Sequence, residues 1–177
     1  MEETHIKHIL TLNAGSSSIK FAIYDLEKSL RRKFRGVISR IGLTDTKMAI
    51  TGPTGDLFQE DAEVTDMQAA GEYLVNWLDK QGYLRGLIAI GHRIVYGKDH
   101  TRPELVTNTL LDELNRITAF DPDHLPGEIG LMKTLGKRCP QLPQIACFDT
   151  SFHNTISRSA SLLPIPRRFD QAGVRRY

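Results

Sequence analysis

Residues 10–23 read Leu10-Thr11-Leu12-Asn13-Ala14-Gly15-Ser16-Ser17-Ser18-Ile19-Lys20-Phe21-Ala22-Ile23. The stretch predicts a strand, a tight polar turn and a second strand. Ile19, Phe21 and Ile23 alternate with Lys20, Ala22 and Tyr24, the period of a half-buried strand. Gly15 is expected to supply the positive φ that short turns often demand. The bend collects backbone N–H groups, the hydroxyls of Ser16, Ser17 and Ser18, and the Lys20 ammonium, a set suited to phosphate oxygens. On the residues alone, a serine-rich hairpin with a solvated lysine explains the stretch equally well. The phosphate loop that opens a helix has a different spacing.

Outward from this hairpin, strands are predicted over 7–13, 19–25, 33–41, 47–51 and 57–59. A helix follows from Met67, with Met67, Ala70, Leu74, Trp77 and Leu78 on one face and Asp66 as its N-cap. The apolar run Leu87–Ile90 predicts a buried strand ending at Gly91-His92-Arg93. A second helix fits 108–118, with Leu110, Leu111, Leu114 and Ile117 inward, and a third fits 127–136, after Pro126 and closing near Gly136. Residues 143–148 predict a further buried strand leading into Asp149. Hairpins first and strand–helix–strand units afterwards predict an α/β fold with a mixed sheet. Asn13, Arg93 and Asp149 then fall just beyond the carboxyl ends of strands, where open α/β sheets form their ligand crevice.

Composition narrows the function classes. The chain has 177 residues, 40% of them hydrophobic, enough for a sizeable core. A net charge of +2 gives no electrostatic case for nucleic acid as a partner, and the cluster Arg31-Arg32-Lys33-Arg35 reads as a solvated edge. No apolar run reaches the ~18 residues of a membrane span, and the polar start Met1-Glu2-Glu3-Thr4-His5 is unlike a secretory signal. Cys139 and Cys147 lack metal-ligand spacing and read as buried or partly buried free thiols in a reducing cytoplasm.

Asn13-Ala14-Gly15-Ser16-Ser17-Ser18-Ile19-Lys20 resembles the amino-terminal signature of the acetate kinases, and three further segments resemble that family in the same order. Gly91-His92-Arg93-Ile94-Val95-Tyr96-Gly97 is similar to its Gly-His-Arg-Val-Val-His-Gly, and Asp121-Pro122-Asp123-His124-Leu125-Pro126 to its Ala-Pro-Leu-His-Asn-Pro. Phe148-Asp149-Thr150-Ser151-Phe152-His153 is similar to its Phe-Asp-Thr-Ala-Phe-His. The resemblance implies the ribonuclease-H-like fold of the acetate and sugar kinase, actin and heat-shock chaperone superfamily. It also implies phosphoryl transfer from ATP to acetate, giving acetyl phosphate and ADP, with Mg2+ as cofactor. Such chemistry asks for positioning and charge neutralisation more than for covalent help.

The matched positions then acquire roles. Arg93 has the forked donors to grip a carboxylate or a phosphoryl oxygen; the plain alternative is an ion-pairing surface arginine. Val95 keeps the apolar position expected beside the acyl group. His124 matches a histidine that donates to the transferred phosphoryl group. Ser16, Ser18 and Lys20 match positions that hold nucleotide or product phosphates. Asn13 matches a magnesium-associated asparagine, though an asparagine before Ala-Gly also suits a turn. Asp149 matches an active-site aspartate regarded as acid or base and lying near the metal, or it caps a turn through Thr150 or Ser151. A metal or positioning role fits it better. Acetate resembles a glutamate side chain, with a pKa of about 4.3, and arrives ionised without a base. His92 is read as a structural histidine, and His153 receives no role.

The chain departs from the family at Tyr96-Gly97-Lys98, where His-Gly-Gly is usual, and at Asp123, where an apolar residue lines the methyl pocket. Such changes bear on the choice among short carboxylates. An aspartate in that pocket would repel the substrate unless turned outward or paired. After Gly173-Val174-Arg175-Arg176-Tyr177 the family continues with Gly-Phe-His-Gly and a second half carrying the adenine site. Residues 1–177 are therefore expected to be the amino-terminal domain, without the nucleotide-binding half and inactive alone. The full-length family member is expected to be a cytoplasmic homodimer. The rival readings are a propionate or butyrate kinase, a non-catalytic phosphate- or partner-binding module, and a sugar or glycerol kinase. The Gly-His-Arg and Phe-Asp-Thr motifs argue against the last.

Overall fold

In the computed structural model, which describes residues 6–27, 29–152, 155–172 and 174, the opening hairpin forms as expected. Strands β1 (His8–Ala14) and β2 (Ser18–Leu26) pair antiparallel, with Ile19, Phe21 and Ile23 buried. Gly15 corrects one expectation: it has no positive φ. The turn closes instead through the Gly15 N–H, which donates to the Ser18 carbonyl at 2.7 Å. The antiparallel run continues through β3 (Leu30–Ser39), β4 (Lys47–Thr51) and β5 (Leu57–Asp61).

Helix α1 (Met67–Lys80) starts at Asp66, whose carboxylate accepts from the Ala69 N–H at 2.8 Å. It returns the chain to β6 (Leu87–Ile94), parallel to β1. The strand expected to end at Gly91-His92-Arg93 runs through them to Ile94 in the fold, so His92 and Arg93 lie inside it. Ile90, His92 and Ile94 point into the core, and this period of two carries the strand through Gly91. A short strand β7 (Glu104–Leu105), α2 (Asn108–Ile117) and α3 (Leu125–Arg138) precede β8 (Gln144–Phe148), which is parallel to β6. Helix α3 passes Gly136 without ending there. A side chain at that position would press on the Gln144 amide 3.2 Å away, so glycine there makes room for the neighbouring strand. Three short helices follow: α4 (Asp149–Phe152), α5 (Arg158–Ser161) and α6 (Arg167–Gln171). His153 and Arg175–Tyr177 lie outside the described residues.

The sheet order is β5-β4-β3-β2-β1-β6-β8-β7. Its centre is β3-β2-β1-β6-β8, two antiparallel pairings joined to two parallel ones: the expected mixed α/β sheet. Leu10, Leu12, Ile23, Ile38 and Ile90 pack against Leu74 and Leu78 of α1 and Leu131 and Leu135 of α3. Ile94, Ala146 and Phe148 pack against Leu110, Leu114, Ile129 and Met132. Because α3 contributes to both clusters, the helices share one face of the sheet, and Asn13 of β1 and Arg93 of β6, each between two buried neighbours, face the other way. Among the described residues, no helix is long and apolar enough to cross a membrane.

His92 is the structural residue expected. Its Nε2 lies 2.7 Å from Gln144 Oε1, and the Gln144 amide donates to the Met132 carbonyl at 3.2 Å, tying β6, β8 and α3 together. Burial lowers the imidazole from about 6.5 to about 4. The native state thus holds it neutral, and this site loses stability as pH falls through that window.

Candidate functional site

Register builds the site. Asn13 on β1 is paired with Lys20 on β2 and with Arg93 on β6, and Arg93 with Cys147 on β8. The four residues form one row across the sheet, about 4.8 Å between neighbours, on the face away from the helices. Asp149 begins α4 directly after β8 and meets the row from its end.

Side-chain hydrogen bonds join Asn13, Arg93 and Asp149. Arg93 Nε donates to Asp149 Oδ1 at 3.0 Å and to Oδ2 at 2.9 Å, and Nη2 donates to Oδ2 as well. Nη1 donates to Asn13 Oδ1 at 3.3 Å. The Asp149 carboxylate raises the guanidinium above its ordinary value, partly opposed by desolvation. A guanidinium has five N–H donors. Within the described residues this arrangement leaves one N–H on each terminal nitrogen for an incoming oxygen. Beside the pair opens a cleft of about 610 Å³, lined by Val95, Pro103, Phe148, Thr150, Ser151 and Phe152 along with Arg93, Cys147 and Asp149. Both cysteines are free thiols, Cys139 partly buried as expected and Cys147 exposed here, which corrects the expectation that it too would be buried or partly buried.

Two of the four motifs are locked together by close packing. The Gly97 N–H donates to Thr150 Oγ1 at 3.1 Å, and a Cβ on Gly97 would lie 2.4 Å from the Phe148 ring. Gly97→Ala should therefore cost about 1–3 kcal/mol through overpacking. The thermal midpoint should fall by about 3–10 °C, measurable by calorimetry of the isolated chain. An unchanged midpoint would mean that the Phe148 ring moves aside freely.

The other predicted residues are more loosely gathered. Ser16 and Ser18 stand at the β1–β2 turn, Ser16 exposed and Ser18 half-buried, while Lys20 projects exposed from the row. His124 sits in the turn before α3, and Asp121 Oδ1 lies 2.8 Å from its Nδ1, raising the imidazole above its ordinary value. His124 does not line the cleft. Asp123 is exposed, resolving the expected repulsion by turning outward, and Tyr96 stacks on Phe120 with ring centroids 6.0 Å apart.

Glu128, which the motifs did not single out, occupies the first turn of α3 and is 2% exposed. Its Oε1 accepts from the Val95 N–H at 3.1 Å, and burial pushes its carboxyl up to about 7. The only sequence signal was an acid in the first turn of a helix, a common preference that carries no hint of burial.

The chain is 36% identical to the acetate kinase of Nitrobacter hamburgensis, over 96% of this chain and 43% of that protein. The solved structure of a propionate kinase from Francisella tularensis matches with a TM-score of 0.84 and 28% identity, covering 97% of this chain and 44% of that one. The acetate kinase structure from Porphyromonas gingivalis shares the fold at a TM-score of 0.85, with 24% identity over 97% of this chain and 44% of that one. The chain thus spans less than half the length of these relatives. The model of the Acetokinase family matches residues 8–177, and the chain belongs to that family.

Proposed function

We propose that residues 1–177 form the amino-terminal domain of an ATP-dependent carboxylate kinase and carry its carboxylate grip with part of its phosphate site. The observation that carries this reading is the Arg93 guanidinium. It is oriented along one edge by Asp149 and at Nη1 by Asn13, and it keeps donors at the mouth of a cleft with an apolar wall. A short carboxylate docks its oxygens on Arg93 and its alkyl end against Val95, Pro103 and Phe148. Held there, it is already ionised and presents an oxygen to the phosphoryl donor without a base. His124, kept protonated by Asp121 to higher pH than a free imidazole, donates to the phosphoryl oxygens. Ser16, Ser18 and Lys20 hold phosphate at the hairpin turn.

The donors present suit magnesium. Asn13 Oδ1 and the Asp149 carboxylate both bond the Arg93 guanidinium, at different nitrogens, so two hard oxygens stand beside the same side chain. Among the described residues no group of three His, Cys, Asp or Glu that could hold a metal ion gathers at this site or at any other. Few protein ligands, with phosphate oxygens and water completing the shell, is what magnesium prefers. When bound with ATP, the ion neutralises phosphate charge. The full-length protein is read as a cytoplasmic homodimer. Similarity to a propionate kinase and the apolar cleft wall favour propionate as a second acceptor.

The test is hydroxamate trapping of acyl phosphate with ATP, magnesium and either acetate or propionate. The 177-residue chain alone is expected to give no turnover, whereas the chain continued to its family's length is expected to give acyl hydroxamate. Turnover by the short chain at the rate of its relatives would overturn the half-site reading. Inactivity of the continued protein on both acids would overturn the kinase reading.

A further inference from the structure

The mechanism leaves one buried ionisable group without a task. Glu128 lies one turn after His124, and its backbone N–H donates to the His124 carbonyl at 3.1 Å. Its side chain crosses to the sheet, where Oε1 accepts from the Val95 N–H at 3.1 Å, two residues beyond Arg93. Glu128 thus joins both segments that the carboxylate site needs: its carboxyl holds the strand end with Arg93 and Val95, and its backbone N–H holds the turn with His124. The other oxygen, Oε2, is buried with no hydrogen-bond partner among the described residues, and Asp121 Oδ2 in the adjoining turn is in the same condition. A buried acceptor with nothing to accept carries an uncompensated desolvation penalty. Protonation relieves that cost, because Oε2 then no longer carries an uncompensated charge.

We propose that Glu128 is a positioning residue of the carboxylate site, a latch between the Arg93–Val95 strand end and the His124 turn that takes up a proton when an anion docks on Arg93. The inference rests on the carboxylate-site reading above. The charged groups around the latch are Asp121 and His124 from the turn before α3 and Arg93 from β6; α1, α2 and β1 contribute none among the described residues. Burial and Asp121 favour the neutral carboxyl, while the Val95 N–H, His124 and Arg93 favour the ionised one. An anion on Arg93 cancels the cation that supports the ionised form. The balance then tips: one proton moves from solvent to Oε2, one O–H bond forms, and the Val95 N–H bond to Oε1 is kept.

The sign follows from linkage. Anion binding that takes up a proton weakens as pH rises through the titration of the free carboxyl, near neutrality. The experiment is NMR on the labelled 177-residue chain, with sodium acetate as the probe. Acetate stays ionised throughout, as inorganic phosphate does not. The Glu128 carboxyl carbon should titrate near neutral pH in the free chain, and acetate should raise its midpoint by about half to one pH unit. Acetate affinity should fall by about three- to tenfold between about pH 5.5 and about pH 8.5, one unit of pKa being tenfold in affinity.

Glu128→Gln keeps an oxygen for Val95 and cannot ionise, so it should hold the Val95 amide signal in place and flatten the pH dependence. Glu128→Ala should displace the Val95 amide and Arg93 Nε signals. His124→Gln removes the other group that titrates nearby and should leave the Glu128 step intact. The proposal is overturned if Glu128 titrates in the ordinary carboxylate range, or if the glutamine variant retains the wild-type pH dependence. An undisturbed Val95 signal in the alanine variant overturns the latch. No acetate response at any pH would overturn the carboxylate reading and the proton linkage together, with the Val95 signals still deciding the latch.

Discussion

Replacing Arg93 by alanine, in a protein that continues this chain to its family's length, is expected to lower kcat/KM for carboxylate phosphorylation by about 30- to 1,000-fold. That is about 2–4 kcal/mol of lost transition-state stabilisation, comparable to deleting one preorganised donor. The loss should fall on catalysis and leave folding intact. The Arg93 and Asp149 side chains are 48% and 39% exposed, so their ion pair is open to solvent, and such pairs contribute only about 0–1 kcal/mol to stability. Circular dichroism and the thermal midpoint of the alanine variant should therefore match wild type while turnover collapses. Arg93→Lys should recover only part of the rate, because a point charge cannot serve Asp149 along one edge and an incoming oxygen with its remaining donors. A near-wild-type kcat/KM in the alanine variant would return Arg93 to the plain alternative, an arginine paired at the surface.

That alternative shows where sequence reading reached its limit. Arg93 is indeed an exposed, ion-paired arginine, but its partner is another motif residue 56 positions away. Spacing in the sequence says nothing about that pairing; the parallel register of β1, β6 and β8 creates it. The core strands and the three long helices were legible because their apolar periods are strong. Element ends were less so. Gly91 interrupts an apolar run and suggests a stop, yet Ile90, His92 and Ile94 keep the period of two across it. Gly136 suggests a helix end, yet it serves close packing against Gln144. The two-residue β7 and the short helices after Asp149 carry no periodic signal at all. Asn13, Arg93 and Asp149 were legible as a group because each lies near the end of a strand. Glu128 was not, because what distinguishes it is burial and one hydrogen bond to a backbone N–H. Both are properties of the packed state.

Asp149→Asn, in the same continued protein, is expected to raise the magnesium requirement and lower kcat together. The amide keeps an oxygen for a cation but loses the negative charge that attracts it. The amide also presents an NH2 that cannot accept from Arg93, so one of the two oxygens that orient the guanidinium is lost. The KM for the carboxylate should rise as well, and excess magnesium should recover only part of the rate. A proton-transfer role for Asp149 makes a different forecast: a titrating limb vanishes from the pH–rate profile while magnesium dependence stays normal. The two outcomes separate cleanly because a different group titrates near neutrality. Glu128, with its carboxyl pushed up to about 7, should give the profile a step that persists in Asp149→Asn and is lost in Glu128→Gln, leaving only the titration of His124. Loss of that step in the Asp149 variant, with an unchanged magnesium response, would assign the proton to Asp149 and remove it from the metal. On the proposed reading the acceptor carboxylate arrives without a proton to give up, so a base at that position has no task, and charge is the contribution expected of Asp149.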